Sequence, residues 1–302
     1  MSSAYLRFWG VRGSYAAPFA SHLDVGGNTS CVEIRTDSHI LVCDAGTGII
    51  PFGNEIIKQD DIRELMVILT HYHWDHVCGL PFFVPAFLPD WKINFFGPGA
   101  DTAEIEKHFS AQMRAPYFPV GTETWLADIN YLNPNIDGLE YGPIKIKYSN
   151  VHHPGATFGY KINVNGKKII YVSDNECKFI EKSINNRNEE LNDEEQELYK
   201  AMIAEEHQTE VTLLSNADIL IHDAQYTPED YDKKQGWGHS CYIDTIHMAI
   251  DAGVKELYLY HHDPNYDDNA MDEINNNAQK LIKECDSSMK CYIAKEGMNI
   301  EL

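Results

Sequence analysis

Basic residues are in short supply. Lys and Arg number 24 against 46 Asp and Glu, a formal charge of −22 over 302 residues, and no run of five basic residues occurs. Non-specific binding to polynucleotides works through Lys and Arg contacts to phosphates, so an extended nucleic acid is not the expected partner. Long hydrophobic runs are also missing: no uninterrupted apolar stretch approaches the length of a membrane span, and none is expected. Met1-Ser2-Ser3-Ala4-Tyr5 runs straight into Leu6-Arg7-Phe8-Trp9, without the apolar core or cleavage site of a secretory leader. The seven cysteines (Cys31, Cys43, Cys78, Cys177, Cys241, Cys285 and Cys291) contain no C-x-x-C pair. Their odd number argues against a disulfide framework. Most of them read as buried small hydrophobes in a reduced, cytoplasmic protein.

What is present suffices for a sizeable core, with 43% hydrophobic and 23% charged residues. The chain reads as one domain over residues 1–302. Short β-rich runs recur at Tyr5–Trp9, Ser30–Arg35, His39–Cys43, Leu65–Leu69, Ile93–Phe96, Ile144–Tyr148, Phe158–Val164, Lys168–Val172, Ile219–Ile221 and Leu257–Tyr260. Ile144-Lys145-Ile146-Lys147 alternates like a half-exposed strand, whereas Leu41-Val42-Cys43 and Met66-Val67-Ile68-Leu69 read as strands buried on both faces. Helical patterns fall at Ser240–Ala252, with Ser240 as a cap and Ile243, Ile246, His247 and Ile250 on one face. They recur at Asn192–Leu214, with Leu198, Met202 and Ile203 apolar, and at Met271–Glu284. Strand-rich blocks near 1–70 and 140–175, each followed by mixed sequence, favour two packed sheets with helices outside over a doubly wound parallel sheet.

On that plan, residues 85–139 and 175–214 look like insertions. The first is rich in aromatics, Tyr117 and Phe118 among them. It reads as a lid, a contact in a homodimer, or a satellite hydrophobic cluster over the core.

The sharpest local signal is Leu69-Thr70-His71-Tyr72-His73-Trp74-Asp75-His76. Four metal-competent residues lie within six positions directly after a buried strand, and three imidazoles suit a borderline metal such as zinc, manganese or iron.

In this motif the chain resembles the metallo-β-lactamase superfamily, marked by H-x-H-x-D-H after such a strand, and the resemblance extends over nearly the whole chain. It implies an α+β fold, an αββα sandwich of two mixed sheets with helices on the outer faces. Asp44, in Leu41-Val42-Cys43-Asp44-Ala45-Gly46-Thr47-Gly48, matches the aspartate that braces the metal loop. His153-Pro154-Gly155 matches the third metal-binding histidine, Asp174 the carboxylate shared by two ions, and Leu257-Tyr258-Leu259-Tyr260-His261 the strand delivering the last histidine. The implied cofactors are two divalent ions, zinc first and manganese or iron as alternatives. One would take His71, His73, His153 and Asp174. The other would take Asp75, His76, His261 and the same Asp174. His152 and His262 are the competing neighbours of His153 and His261, because an extended backbone turns only one of each pair inward.

Further matches are similar to the phosphodiesterase branch, which includes cyclic phosphodiesterases and tRNA 3′-end endonucleases. Asp174 stands where many true β-lactamases carry cysteine. Gly236-Trp237-Gly238-His239-Ser240 places His239 at a helix N-terminus with free backbone N–H groups, an anion site. Asp223, in Ile221-His222-Asp223-Ala224-Gln225, resembles the acid that orients that histidine; a turn cap is its plainer role. Phe8-Trp9-Gly10-Val11-Arg12-Gly13-Ser14 and Gly26-Gly27-Asn28-Thr29-Ser30-Cys31 resemble the opening of a bacterial subgroup of this branch. There Gly26, Gly27 and Asn28 support a tight backbone near the metals, or simply a turn into a strand.

The implied function is hydrolysis of a small phosphodiester, such as a cyclic nucleotide, by a two-metal hydroxide mechanism. Asp75, His239 and Asp223 would be catalytic, and His239 and Ser240 would contact the substrate. The alternatives are hydrolysis of a lactone, thioester or β-lactam on the same fold, or an RNA-processing endonuclease.

Overall fold

The computed structural model describes residues 4–59, 62–134, 136–185 and 192–302. Among these, β1 (Ala4–Gly10), β2 (Cys31–Thr36), β3 (Ile40–Cys43), β4 (Glu64–Ile68), β5 (Lys92–Phe96) and β6 (Asp128–Tyr131) build a first sheet. β7 (Leu139–Tyr141), β8 (Ile144–Asn150), β9 (Phe158–Val164), β10 (Lys167–Val172), β11 (Ile219–Asp223), β12 (Glu256–Tyr260) and β13 (Lys290–Ile293) build the second. β14 (Asn299–Glu301) returns to pair with β1 in the first sheet. Both sheets are mixed. Antiparallel pairing runs from β14 to β3 and from β7 to β10, and parallel pairing from β3 to β6 and from β10 to β13.

The helices are α1 (Ile49–Ile56), α2 (Trp74–Val77), α3 (Thr102–Ala111), α4 (Phe179–Asn185), α5 (Asp193–Leu214), α6 (Pro228–Lys234), α7 (Tyr242–Asp251) and α8 (Asp268–Glu284). The period-2 side-chain alternation of a strand explains how they are layered. On β3 and β4, Leu41, Cys43, Met66 and Ile68 belong to the core shared with the second sheet. Ile40, Val42, Leu65 and Val67 belong to a second core with Phe52 of α1 and Phe109 of α3. A sheet covered on both faces needs apolar residues at successive positions, as these strands have. On the other side, α7 and α8 add Ile246, Ala249, Met271 and Ala278 to the core of the second sheet. Tyrosines cross between the sheets: Tyr160 donates to the Leu69 carbonyl at 2.5 Å, Tyr171 to Asp44 Oδ2 at 2.7 Å and Tyr260 to the Gly10 carbonyl at 2.8 Å. The result is a four-layer αββα sandwich.

Several expectations need correction. Residues 85–139 supply β5 and β6 of the first sheet and the start of the crossing into the second. Phe118 packs edge-on against Phe82, whereas Tyr117 is 92% exposed. In the second expected segment, α4 and α5 lie on the crossover between the parallel neighbours β10 and β11, while residues 186–191 lie outside the described residues. On α5, Leu198 and Met202 are 59% and 37% exposed, so they are not its inward side. Asn192 caps that helix, in a capping box with Glu195. On α7 the buried stripe is Tyr242, Thr245, Ile246 and Ala249, one residue off the expected face. Its N-cap is Cys241, not Ser240. All seven cysteines are free thiols, and all but Cys78 and Cys285 are buried, as the sequence leads one to expect of most. Among the described residues no helix is long and apolar enough to cross a membrane.

Candidate metal centre

The carboxyl ends of β3, β4, β10, β11 and β12 converge, and the chemistry-bearing residues follow directly on them. Asp44, just past β3, is fully buried and sits at a φ of 61°. That left-handed conformation is costly for a residue with a Cβ and is held only where the surroundings fix it. Its carboxylate accepts from the Thr70 backbone N–H (2.7 Å), the Thr70 hydroxyl (3.0 Å), His76 Nδ1 (2.9 Å) and the Tyr171 hydroxyl (2.7 Å). One buried acid therefore pins the loop after β4 at both of its ends.

The imidazoles are oriented from behind. The Nδ1–H groups of His76, His261 and His153 donate to Asp44, to Gln225 Oε1 at 3.0 Å and to the Gly238 carbonyl at 2.7 Å. An Nδ1 bound to such acceptors leaves Nε2 as a bare lone pair. Yet His76 Nε2 and His261 Nε2 face each other at 3.2 Å, and His153 Nε2 faces His73 Nδ1 at 3.0 Å. Asp174 Oδ1 lies 3.0 Å from His76 Nε2, and Oδ2 lies 3.4 Å from His261 Nε2, 3.7 Å from His71 Nε2 and 3.8 Å from His153 Nε2. Asp75 Oδ2 is 3.1 Å from His261 Nε2 and 3.3 Å from His76 Nε2. His71 Nε2 and Asp174 Oδ1 are buried without a hydrogen-bond partner. Acceptors turned on acceptors repel one another unless a cation lies among them.

The spacing fits a cation. Zinc binds imidazole nitrogen at about 2.0–2.1 Å, which sets neighbouring ligands of a tetrahedron about 3.3 Å apart. The donor set, imidazole and carboxylate only, suits such an ion.

His153 and His261 turn into this cluster. His152 is exposed and stacks on Phe179, and His262 is buried with Nε2 on the Ala294 carbonyl. The electrostatics follow from burial and crowding. Burial, joined by His76, holds His71 well below its usual range. Burial opposes charge on Asp174 too, but His261, His76 and His71 outweigh it and hold its carboxyl well below the usual value.

His239 stands beside the cluster. Its Nδ1 meets Asp223 Oδ2 at 2.8 Å, and its ring stacks on His261 at 4.9 Å between centroids. Burial lowers the His239 pKa, yet the charge and hydrogen bond of Asp223 raise it overall. Asp223 also accepts the backbone N–H groups of Asn175, Gln225 and Ser240, so it serves as turn anchor and imidazole partner at once.

Two expectations fail here. Ser240 does not face a substrate. It is fully buried, and its hydroxyl donates to the Asn175 carbonyl at 2.6 Å and accepts from the Cys177 N–H at 3.0 Å. Nor are the amides before α7 free for an anion, since Ser240 N–H goes to Asp223 and Tyr242 N–H to the Tyr226 carbonyl. Gly26 and Gly27 lie against Glu296 and the Ala17 carbonyl, and the Asn28 amide donates to Glu296 as well, so this turn braces the loop from behind.

One glycine that touches the metal cluster is Gly13, where an ideal Cβ would come within 2.4 Å of the His261 ring. Its neighbour Ser14, at a φ of 61°, donates its N–H to Asp75 Oδ2 at 2.7 Å, and its hydroxyl accepts from Gln225 Nε2. Gln225, Tyr171, Gly13 and Ser14 were not singled out as site residues in the sequence. Their signal was present for Gly13 and Ser14, in the glycine-punctuated Phe8–Ser14 run.

Comparison with known proteins places this geometry. An RNase J-like protein of Methanocaldococcus jannaschii is 30% identical over 145 residues, 48% of this chain and 33% of that protein. A ribonuclease Z of Streptococcus suis is 32% identical over 92 residues, 30% of this chain and 28% of the relative. Both matches thus span about a third or less of the relatives' own lengths. A ribonuclease Z of Prochlorococcus marinus is 22% identical over 307 residues, covering 90% of this chain and 92% of its own.

Among solved structures, the metallo-beta-lactamase fold protein YhfI of Bacillus subtilis superposes with a TM-score of 0.68 at 18% identity, with full coverage of both chains. A diphosphatase from the PhnP family gives 0.64 at 15%, over 99% of this chain and 98% of that one. Yeast PDE1 gives 0.61 at 15%, with full coverage of both. These likenesses establish the sandwich. The Metallo-beta-lactamase superfamily model matches residues 24–178, which hold Asp44, the loop from His71 to His76, His153 and Asp174. With just over half its length in that match, the chain belongs to the metallo-beta-lactamase superfamily.

Proposed function

We propose that the chain is a metal-dependent phosphodiesterase acting on a small phosphodiester, with cyclic nucleotides as the leading substrate class. The observation that carries this reading is the His239–Asp223 pair at 2.8 Å beside the metal cluster. Expelling an alkoxide from phosphorus calls for a proton at the leaving oxygen, and a histidine held by a carboxylate is suited to supply it. With Nδ1 engaged by Asp223, Nε2 is the atom left to carry that proton.

Two divalent ions, zinc first, would be held by His71, His73, His153 and Asp174 on one side. Asp75, His76, His261 and Asp174 would hold the other. When bound, such ions supply Lewis acidity, which makes water more acidic and offsets phosphate charge. Asp44, Gln225 and the Gly238 carbonyl keep the imidazoles turned inward, and Ser14 N–H steadies Asp75.

A second reading, RNA processing, is favoured by the ribonuclease Z relative that aligns along 90% of the chain. The charge of −22 weighs against a long polyanion. The test is zinc- or manganese-loaded protein assayed on a cyclic nucleotide, a nitrophenyl phosphodiester, a lactone, a β-lactam and a precursor tRNA. Turnover of the two small diesters is expected. Turnover of the lactone or β-lactam with none on any phosphodiester would sink the proposal, and tRNA cleavage without cyclic-nucleotide turnover would favour the second reading.

A further inference from the structure

Glu176 lies two residues beyond Asp174 and is fully buried. Its carboxylate accepts three hydrogen bonds: the Tyr231 hydroxyl at 2.6 Å and the Gly236 N–H at 2.8 Å on Oε1, and the Gly238 N–H at 2.8 Å on Oε2. Gly236 and Gly238 have φ values of 83° and 88°, a conformation that glycine adopts without a Cβ penalty. Two amides from alternate residues can therefore converge on one acid.

The loop so clamped has two products. The Gly238 carbonyl receives the Nδ1–H of His153 at 2.7 Å, and the next residue is His239. Gly238 sits so close that an ideal Cβ there would come within 2.4 Å of His153 Nδ1. From its other end, the Glu176 N–H donates to the His152 carbonyl at 2.7 Å, tying down the strand exit that carries His153. A carboxylate suits this place and a carboxamide does not. Three donors need two accepting oxygens, and an NH₂ group in place of one oxygen would face an N–H.

We infer that Glu176 is a positioning residue that sets His153 and His239 together by clamping the Gly236–Gly238 loop. The half of this concerning His239 rests on reading His239 as the proton donor. The half concerning His153 stands without it.

The test uses Glu176→Gln in the full chain, folded by circular dichroism, with two readouts. The first is zinc affinity by chelator competition, expected to fall about 10–100-fold, the usual effect of disturbing the hydrogen bond behind a metal-binding histidine. The second is leaving-group dependence, with the rate loss expected to be larger for an alkyl than for a nitrophenyl diester. A residue that only stabilised the fold would lower Tm and leave both readouts at wild-type values, and that result overturns the inference. Tyr231→Phe removes one donor but spares both glycine contacts, and should stay near wild type. Equal damage from Tyr231→Phe would point to general loosening and would also overturn it.

If Glu176→Gln does not fold, Gly236→Ala shifts the same loop without filling occupied space, since nothing lies within 4 Å of a Cβ there. The same two effects are expected, and wild-type behaviour in both refutes the clamp. If His239→Ala itself shows no leaving-group dependence, the functional reading falls, and the zinc titration alone decides the role of Glu176.

Discussion

Asp44 and His76 meet carboxylate to Nδ1 at 2.9 Å, both fully buried, and the same carboxylate oxygen takes the Tyr171 hydroxyl from the opposite sheet. The metal loop is therefore fixed by a residue from before it in sequence and steadied by one from the far layer. Asp44→Asn should lower affinity for divalent metal about 10–100-fold, because an amide cannot accept every donor now converging on the acid. Zinc titration against a chelator checks this. Unchanged affinity in a folded variant would show that His76 needs no such partner.

His239→Ala should keep full metal content and lose activity by about 10²–10⁴-fold if a proton donor has been removed. The loss should shrink for a nitrophenyl diester, whose leaving group needs little protonation. Asp223→Asn should give a milder form of the same pattern, since the ring stays but its orientation and proton affinity weaken. Elemental analysis beside rates on both substrates decides the matter: a missing ion would make His239 a ligand, and an equal loss on both would make it a plain phosphate contact.

At Gly13 even one methyl group matters. Alanine there would press on His261, which is itself held at a φ of 59°. Displacing a reacting group by about 1 Å can cost about 100-fold in rate. Gly13→Ala should therefore reduce kcat by about that factor with a small change in Tm, measured by steady-state kinetics and thermal unfolding. Wild-type kcat would mean that the loop yields and the ring stays in place.

Glu210 gives a pH signature to stability. Burial, with Glu206 nearby, pushes its carboxyl up from 4.5 to about 7, and the Asn175 amide beside it only partly compensates. An acid whose folded-state pKa is raised costs the folded state stability above its unfolded value. That cost grows from about pH 4.5 to about pH 7 and is constant beyond. It reaches at most about 3 kcal/mol. Glu210→Gln keeps the hydrogen bond from Asn175, so it should raise Tm at pH 8 and leave it unchanged at pH 4.5. Equal shifts at both pH values would rule out ionisation as the cause.

The sequence exposes what is local. His71 to His76 carry metal chemistry at spacings readable without a fold, and the ten strand runs read from period-2 and all-apolar patterns are strands in the structure. Short elements escaped. β6, β7, β13 and β14 are three or four residues long, and β6 and β14 are half-exposed or exposed, too short for the one or two apolar residues on each to show a period.

The residues behind the site were hidden for a different reason. Tyr171 reaches Asp44 across 127 positions and Gln225 reaches Ser14 across 211, and no window on the chain shows such a pairing. Ser240 misled because a serine before a helix looks like a cap. Here Asn175 and Cys177 claim its hydroxyl, so the cap falls to Cys241.

The cage is divided between the two halves of the molecule. His71, His73, Asp75 and His76 follow the first sheet's β4, and His153, Asp174 and His261 belong to the second sheet's half of the chain. A chain still being synthesised cannot assemble it until β12 has emerged and the sheets have docked, and contacts of such sequence separation form late. Completion of the site thus reports a finished sandwich, and a fragment ending before β12 would lack both His261 and the strand β14 that closes the edge of the first sheet.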